Sequence, residues 1–340
     1  MSALRIGVIG VGFGQQVHVP AFRADARCQV VAICARRREQ AAYVAEQLDV
    51  PHAYGDAREL LGSGEVDAIS IAVPPVLQPE LVIAAAEAGK HVFCEKPLAA
   101  DVPAAERALA AVRKSGIVHT MDFIIPEVPA WQHARSVLAE GRLGALRQVA
   151  LSWRIETYSV AHGLDSWKLR SAQGGGTLSN FVSHSLHYLE WLLGPITRIA
   201  ARLAPRDAAD DVRVDAWMEL ASGCPVTLSV ATDAFLGSGH RLEIYGEQGT
   251  LVLENRTRDH VNGFELSVGT RASGAFSTQP PESFPYADGR IGAAGSIVRH
   301  FVDAVLAGVP VEPNLAHGLR VQRLMAAARA ADRSGAYQSV

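Results

Sequence analysis

The sequence predicts an α/β chain: a doubly wound parallel sheet, followed by a second α/β domain with a mainly antiparallel sheet. Three observations carry this reading. Up to about residue 122, short apolar runs alternate with helical stretches. A glycine-rich turn follows the first of those runs. Beyond that point, strand-like segments succeed one another without helices between them. The expected domains are 1–122 and 123–340. A chain of 340 residues accommodates two domains of ordinary size.

The first-half elements follow in order. Arg5–Ile9, Gln29–Cys34, Ala68–Val73, His91–Cys94 and Ile117–Met121 are short, apolar and rich in β-branched residues. Continuous apolar strands of this kind are buried on both faces, as in a parallel sheet. Helical patterns lie between them at Gln15–Ala26, Arg38–Leu48, Gln78–Ala88 and Ala104–Lys114, with Gly89 and Gly116 as stops for the last two. In the second half, Ala130–Glu140 reads as a helix. Strands are expected at Leu146–Ile155, Ile196–Leu203, Val212–Leu220, Pro225–Thr232, Arg241–Tyr245, Thr250–Leu253 and Phe264–Val268. Residues 270–290 read as a loop, and helices near Ser296–Ala307 and His317–Ala331 close the chain.

Composition narrows the function classes. Hydrophobic residues make up 49% and charged residues 20%, so the chain has ample apolar material for a core. A net charge of −3 gives no pull toward nucleic acid or an anionic membrane, and no run is long and apolar enough to span a bilayer. Cys28, Cys34, Cys94 and Cys224 form no Cys-x-x-Cys pair, and small buried thiols in a reducing cytoplasm are expected. The N-terminal run resembles a signal peptide only superficially, because glycines interrupt it and no cleavage site follows.

The first strand runs into Gly10-Val11-Gly12-Phe13-Gly14-Gln15. Glycines permit the tight turn and the close approach of backbone N–H groups to a pyrophosphate, and the next helix offers its positive end. Gln15 replaces the usual third small residue. Gly10, Gly12, Phe13, Gly14 and Gln15 are therefore candidate cofactor-binding residues. Twenty residues past Gly14, where a carboxylate would receive a ribose 2′-hydroxyl, stands Cys34, followed by Arg36, Arg37 and Arg38. Guanidinium groups suit a 2′-phosphate, so NADP is the expected cofactor, with NAD the alternative, and Arg36 and Arg37 its contacts.

Ile71-Ala72-Val73-Pro74-Pro75 is followed by Ala88-Gly89-Lys90-His91-Val92-Phe93-Cys94-Glu95-Lys96-Pro97-Leu98. This resembles the glucose–fructose oxidoreductase / inositol dehydrogenase / MocA family over nearly the whole chain, including Trp167-Lys168, Gly174-Gly175-Gly176 and Gly318-Leu319-Arg320-Val321. The resemblance implies that 1–122 is a dinucleotide-binding Rossmann domain and that 123–340 is a substrate-binding and oligomerisation domain with an open sheet. It implies that Lys96 orients a substrate oxygen and exchanges its proton. It also places Val73, Pro74, Pro75, Gln78, Glu95, Lys96, Pro97 and Asp122 near the cofactor, although relatives often carry His at position 78 and Asn at 122. Independently, a lysine at the carboxyl end of a buried strand lies where ligands bind in open α/β sheets.

Gly174–Trp191 is the second constellation. After its glycines it reads as a helix ending at Gly194-Pro195, with Asn180, His184 and His187 on one face and Leu178, Val182, Leu186, Leu189 and Leu193 toward the core. By resemblance, His184 matches a catalytic His, and Asn180 stands where the family usually has Asp. Asn can orient a hydroxyl but cannot act as a base. Trp167 and Lys168 are expected near the substrate, and Glu156 is a weaker candidate. No metal is expected.

The expected function is NADP(H)-dependent transfer of hydride to or from a secondary alcohol or ketone of a sugar, cyclitol or related polyol, with Lys96, His184 and Asn180 as the catalytic set. The rivals are a non-catalytic cofactor-binding sensor or regulator, and a reductase of an imine or unsaturated small molecule. A cytoplasmic homo-oligomer, dimer or tetramer, is expected, with a small-molecule substrate and neither nucleic acid nor membrane as partner.

Overall fold

The computed structural model describes residues 3–206 and 210–340. In chain order, the strands are β1 Leu4–Ile9, β2 Cys28–Cys34, β3 His52–Tyr54, β4 Ala68–Ile71, β5 His91–Cys94, β6 His119–Met121, β7 Leu146–Arg154, β8 Ile196–Arg206, β9 Asp210–Leu220, β10 Pro225–Ala231, β11 Gly239–Gly246, β12 Gly249–Asn255, β13 Glu265–Thr270, β14 Phe276–Gln279 and β15 Gln338–Ser339. The α-helices are α1 Val19–Arg23, α2 Arg38–Gln47, α3 Ala57–Gly62, α4 Gln78–Glu87, α5 Val102–Ser115, α6 Pro129–Ala139, α7 Tyr158–Ala161, α8 Ser183–Leu193, α9 Gly289–Ala307 and α10 Leu315–Ser334.

The first sheet has the order β3-β2-β1-β4-β5-β6. Every pair in it is parallel. That is the doubly wound Rossmann order, with its switch point between β1 and β4. Ile6, Val8, Ala32, Ile33, Ile69, Ile71, Val92 and Phe93 are all buried, as a sheet covered on both faces requires. Helix α5 shows the local logic: Asp101 accepts a hydrogen bond from Ala104 N (2.8 Å) at its start. Gly116, at φ 68°, ends it.

The chain divides into two compact units. One runs to Ile124 and takes in Arg290–Gln322; the other comprises Ile125–Gly289 and Arg323–Val340. The expected cut at 122/123 thus lies close to the first boundary, but 123–340 is not one continuous domain. The reason is packing. Phe301 on α9 stands edge-on to Phe22 (6.5 Å) and Phe93 (5.9 Å). All three rings are fully buried, and truncating such a ring costs about 3–5 kcal/mol. Thr120 Oγ1 and Met121 N both donate to Pro313 O, so the chain leading into α10 covers the β6 edge.

The second unit holds a nine-stranded sheet ordered β14-β13-β12-β11-β7-β10-β9-β8-β15. Only the β7–β10 pair is parallel. Its strands alternate: Val149, Leu151 and Trp153 on β7, and Val212, Val214, Ala216 and Met218 on β9, are buried, while Arg213, Asp215 and Trp217 face outward. One face is core and the other open, as expected for a mainly antiparallel sheet.

Several expected elements differ. The helix expected at Gln15–Ala26 is a π-turn over Gly14–His18 followed by α1. Val19 N bonds to Gly14 O, and Pro20, having no N–H, cannot make the next α-type bond. The strand expected to reach Val73 stops at Ile71, before Pro74. The 270–290 loop contains β14 and overlaps the first two residues of α9, which begins seven residues before the expected Ser296. Strand β3 and helix α3 were not expected.

Candidate active site

In the first unit, the glycine turn is pinned at the switch point. Gly10 N donates to Cys34 O (2.9 Å), and Ala72 N donates to Ile9 O (2.8 Å). Gly10 has φ 111°, and a Cβ there would overlap the Ala72 carbonyl oxygen, so only glycine fits. A Cβ on Gly14 would come 2.9 Å from Val8 Cγ1, which packs the helical turn against β1. At Gly12 nothing lies within 4 Å, leaving open space beside its backbone. A cradle closed on the sheet side and open on the other fits a dinucleotide pyrophosphate. Phe13 and Gln15 flank it, both half-buried.

At the end of β2, Cys34 is buried and Arg36, Arg37 and Arg38 are exposed. Arg37 Nη2 reaches Gln40 Oε1 (3.4 Å), and Arg38 pairs with Glu59 at 3.7 Å. No carboxylate side chain intervenes between Cys34 and α2 in sequence. Val73 and Pro74 are half-buried after β4, and Pro75 is buried.

Glu95, Lys96 and Pro97 follow β5, at the same edge of the sheet as the glycine turn. The Lys96–Pro97 peptide bond is cis. Gln78, fully buried on α4, donates through Nε2 to the carbonyls of Glu95 (3.0 Å) and Pro97 (2.6 Å). It braces the backbone on either side of Lys96. Cys94 Sγ points at Gln78 Oε1 (3.6 Å), and burial pushes this thiol well above its usual range.

Beneath this turn lies a cluster that sequence reasoning missed. His18 Nε2 lies 3.0 Å from Glu95 Oε1 and 3.2 Å from Asp122 Oδ2, and its Nδ1 is 2.7 Å from Ser70 Oγ. Phe13 and Phe93 meet the imidazole edge-on at 5.3 and 5.1 Å. Burial alone would lower the His18 pKa, but hydrogen bonds to Asp122 and Glu95 and their charges raise it to about 9. Burial, with the neighbouring Glu95 charge, raises Asp122 to about 7 against the pull of His18. Glu95 is held below the usual carboxylate range: burial raises it, and the His18 hydrogen bond and charge outweigh that. The direct contacts are at hydrogen-bonding distances, so the three side chains form a proton network. Gln78 and Asp122, expected beside the cofactor, are thus buried and engaged with protein groups.

In the second unit, the helical segment that carries Asn180 and His184 opens with a π-turn, Leu178–Val182, and continues as α8. Asp211 Oδ2 accepts from Leu178 N at 2.6 Å. Gly176, at φ 91°, leaves room for that carboxylate, which a Cβ would overlap. Gly176 N (2.8 Å) and Asn180 Nδ2 (2.6 Å) both donate to Lys168 O, so the Trp167-Lys168 turn is tied to the start of this helix. The four sequence-predicted residues Trp167, Lys168, Asn180 and His184 therefore belong to one local assembly. His184 and His187 are buried, as are Leu178, Val182, Leu186 and Leu189, whereas Leu193 is half-buried. Glu156 is exposed and forms a β-bridge with Asp233.

Deeper in this unit, Tyr188 Oη contacts Ser185 Oγ (2.9 Å) and His240 Nε2 (2.8 Å), and His240 stacks on Trp153 at 4.2 Å. Burial and the nearby His260 lower the His240 pKa to about 3, so its ring is neutral. This aromatic core supports α8 from behind.

Residues 4–123 match the family model described as an oxidoreductase family with an NAD-binding Rossmann fold, and residues 131–252 match the GFO/IDH/MocA C-terminal domain. An uncharacterized oxidoreductase of Synechocystis sp. is 33% identical, over 95% of this chain and 92% of that one. Inositol 2-dehydrogenase of Rhizobium meliloti is 26% identical, over 96% of each. Among solved structures, levoglucosan dehydrogenase in complex with NADH and L-sorbose superposes with a TM-score of 0.89 at 24% identity, over 100% of this chain and 99% of that one. With the glycine cradle at the switch point and Lys96 at the end of β5, these matches make the chain a member of the GFO/IDH/MocA oxidoreductase family, an enzyme with that family's NAD-binding Rossmann fold.

Proposed function

We propose that this oxidoreductase uses NADP(H) and acts on a secondary alcohol or ketone of a sugar, cyclitol or related polyol. The observation that carries the reading is the placement of Lys96 at the carboxyl end of β5, on the same sheet edge as the Gly10–Gly14 cradle. The nicotinamide supplies the hydride acceptor or donor. The protein's part is to bind, orient and move a proton. Lys96, half-buried and braced by Gln78, holds the substrate oxygen and exchanges its proton, and His184 is the second acid–base group. Arg36 and Arg37, exposed where a ribose 2′-phosphate would end, support NADP over NAD.

The test is turnover on a panel of sugars and cyclitols with NADP+ and NAD+. Lys96→Ala is expected to lower kcat by at least roughly a hundredfold while cofactor affinity stays within a few fold. Retained turnover in that variant would remove Lys96 from the mechanism. Cofactor binding by the wild-type protein without turnover on any substrate would favour the sensor reading.

A cytoplasmic homo-oligomer is part of this reading. All four cysteines are free, which suits a reducing compartment. The open face of the second sheet exposes Trp217 beside a shallow cleft of about 270 Å³ lined by Arg202, Asp215, Thr227 and Ser229. An exposed tryptophan on an open sheet is a natural contact for a second copy.

A further inference from the structure

The His18 cluster sets a counting problem. One imidazole nitrogen, Nε2, faces two carboxylate oxygens, Glu95 Oε1 at 3.0 Å and Asp122 Oδ2 at 3.2 Å. A single N–H cannot satisfy both at full strength. The other nitrogen is taken by Ser70 Oγ. Asp122 is buried, and its Oδ1 has no hydrogen-bond partner among the described residues. A buried carboxylate with one bare oxygen and half of a shared N–H is stabilised by taking a proton of its own. Near the cluster, among the described residues, stand the Phe13 and Phe93 rings, the Cys94 thiol, the Gln78 amide, which bonds to the backbone, and Arg290, whose guanidinium lies 5.3 Å over the Phe13 ring.

Glu95 links the cluster to Lys96. Its Oε1 takes the His18 contact, while its Oε2 accepts the backbone N–H of Lys96 at 3.2 Å. The Lys96 charge also acts on the Glu95 carboxylate. The charge of the cluster is therefore felt at Lys96.

We propose that His18, Glu95 and Asp122 form a buried proton-holding cluster that positions Lys96 and sets the charge its ammonium faces. With a proton on Asp122, imidazolium and the Glu95 carboxylate cancel and the cluster is neutral. When that proton leaves, the cluster carries one negative charge, which stabilises the Lys96 ammonium. The three are positioning residues: they act through Lys96 and touch no substrate. The consequence for the reaction rests on the function proposed above, in which Lys96 exchanges the substrate proton.

The experiment is competitive acetylation by acetic anhydride from about pH 6 to about 10, with Lys96 quantified by mass spectrometry against exposed Lys114 of the same chain. It needs neither cofactor nor substrate. Asp122→Asn keeps the cluster neutral at every pH where His18 is charged, so the Lys96 ammonium loses support. Its titration should move down, and labelling at about pH 8 should rise roughly threefold relative to Lys114. Equal labelling in the two proteins would overturn the proposal. Should Asp122→Asn fail to fold, the wild-type protein still decides: nitrogen NMR of His18 should show an imidazolium well above neutral pH, and a neutral ring titrating near the usual 6.5 would overturn the proposal. A wild-type protein that binds neither NADPH nor NADH would overturn the proposed function, while the Lys96 labelling and the His18 NMR would still decide the cluster proposal.

Discussion

Asn180 donates its amide to the carbonyl of Lys168 at 2.6 Å. That contact gives a physical reason for Asn where an acid would be expected: a carboxylate cannot donate, and two oxygens at this distance repel. Asn180→Asp should therefore loosen the 164–175 segment rather than add a base. The lost bond is worth about 1 kcal/mol, or several-fold in opening. Tryptic cleavage after Lys168 and Arg170 is expected to accelerate by about that factor. Unchanged cleavage would show that the latch does not hold the turn. The latch itself was not legible in the sequence, because twelve positions separate the partners and the acceptor is a backbone oxygen. The residues it gathers were legible, since helix periodicity and the glycine run marked them.

Among the elements, the parallel strands announced themselves through continuous apolar runs, and β1, β2, β4, β5 and β6 lie close to where those runs predict. Strand β3 is three half-buried residues, and β14 is four exposed ones, so neither carries a hydrophobic pattern. The π-turn at Gly14–His18 has no period of its own to read. It places His18 under the ends of β4, β5 and β6, a meeting of four elements that local patterning does not encode. The cluster makes stability pH-dependent. His18 is raised from 6.5 to about 9, so its contribution is fully present below pH 6.5 and lost as pH rises through about 9. Asp122 is raised from 3.8 to about 7, so its contribution is present below pH 3.8 and lost as pH rises through about 7. Glu95, held low, acts oppositely and matters only in acid. The melting temperature should fall between pH 6.5 and pH 9. In His18→Gln, that slope should flatten. An equal slope in both proteins would mean that His18 carries no excess proton.

At the scale of the molecule, the sequence made the two-domain plan legible but not its discontinuity. Helix α9 looks like any amphipathic helix near a C-terminus; contacts such as those of Phe301 with Phe22 and Phe93 assign it to the first unit. No helix among the described residues is long and apolar enough to cross a membrane. The proposed function requires the first unit to hold a nicotinamide dinucleotide with the Arg36–Arg37 stretch at a ribose 2′-phosphate. Its most direct test is a fluorescence titration of the purified protein with NADPH and, in parallel, NADH, repeated on the double variant Arg36→Ala, Arg37→Ala. The expected result is saturable binding, tighter for NADPH, and a loss of roughly tenfold or more for NADPH alone in the variant. Binding of neither nucleotide by the wild-type protein would contradict it.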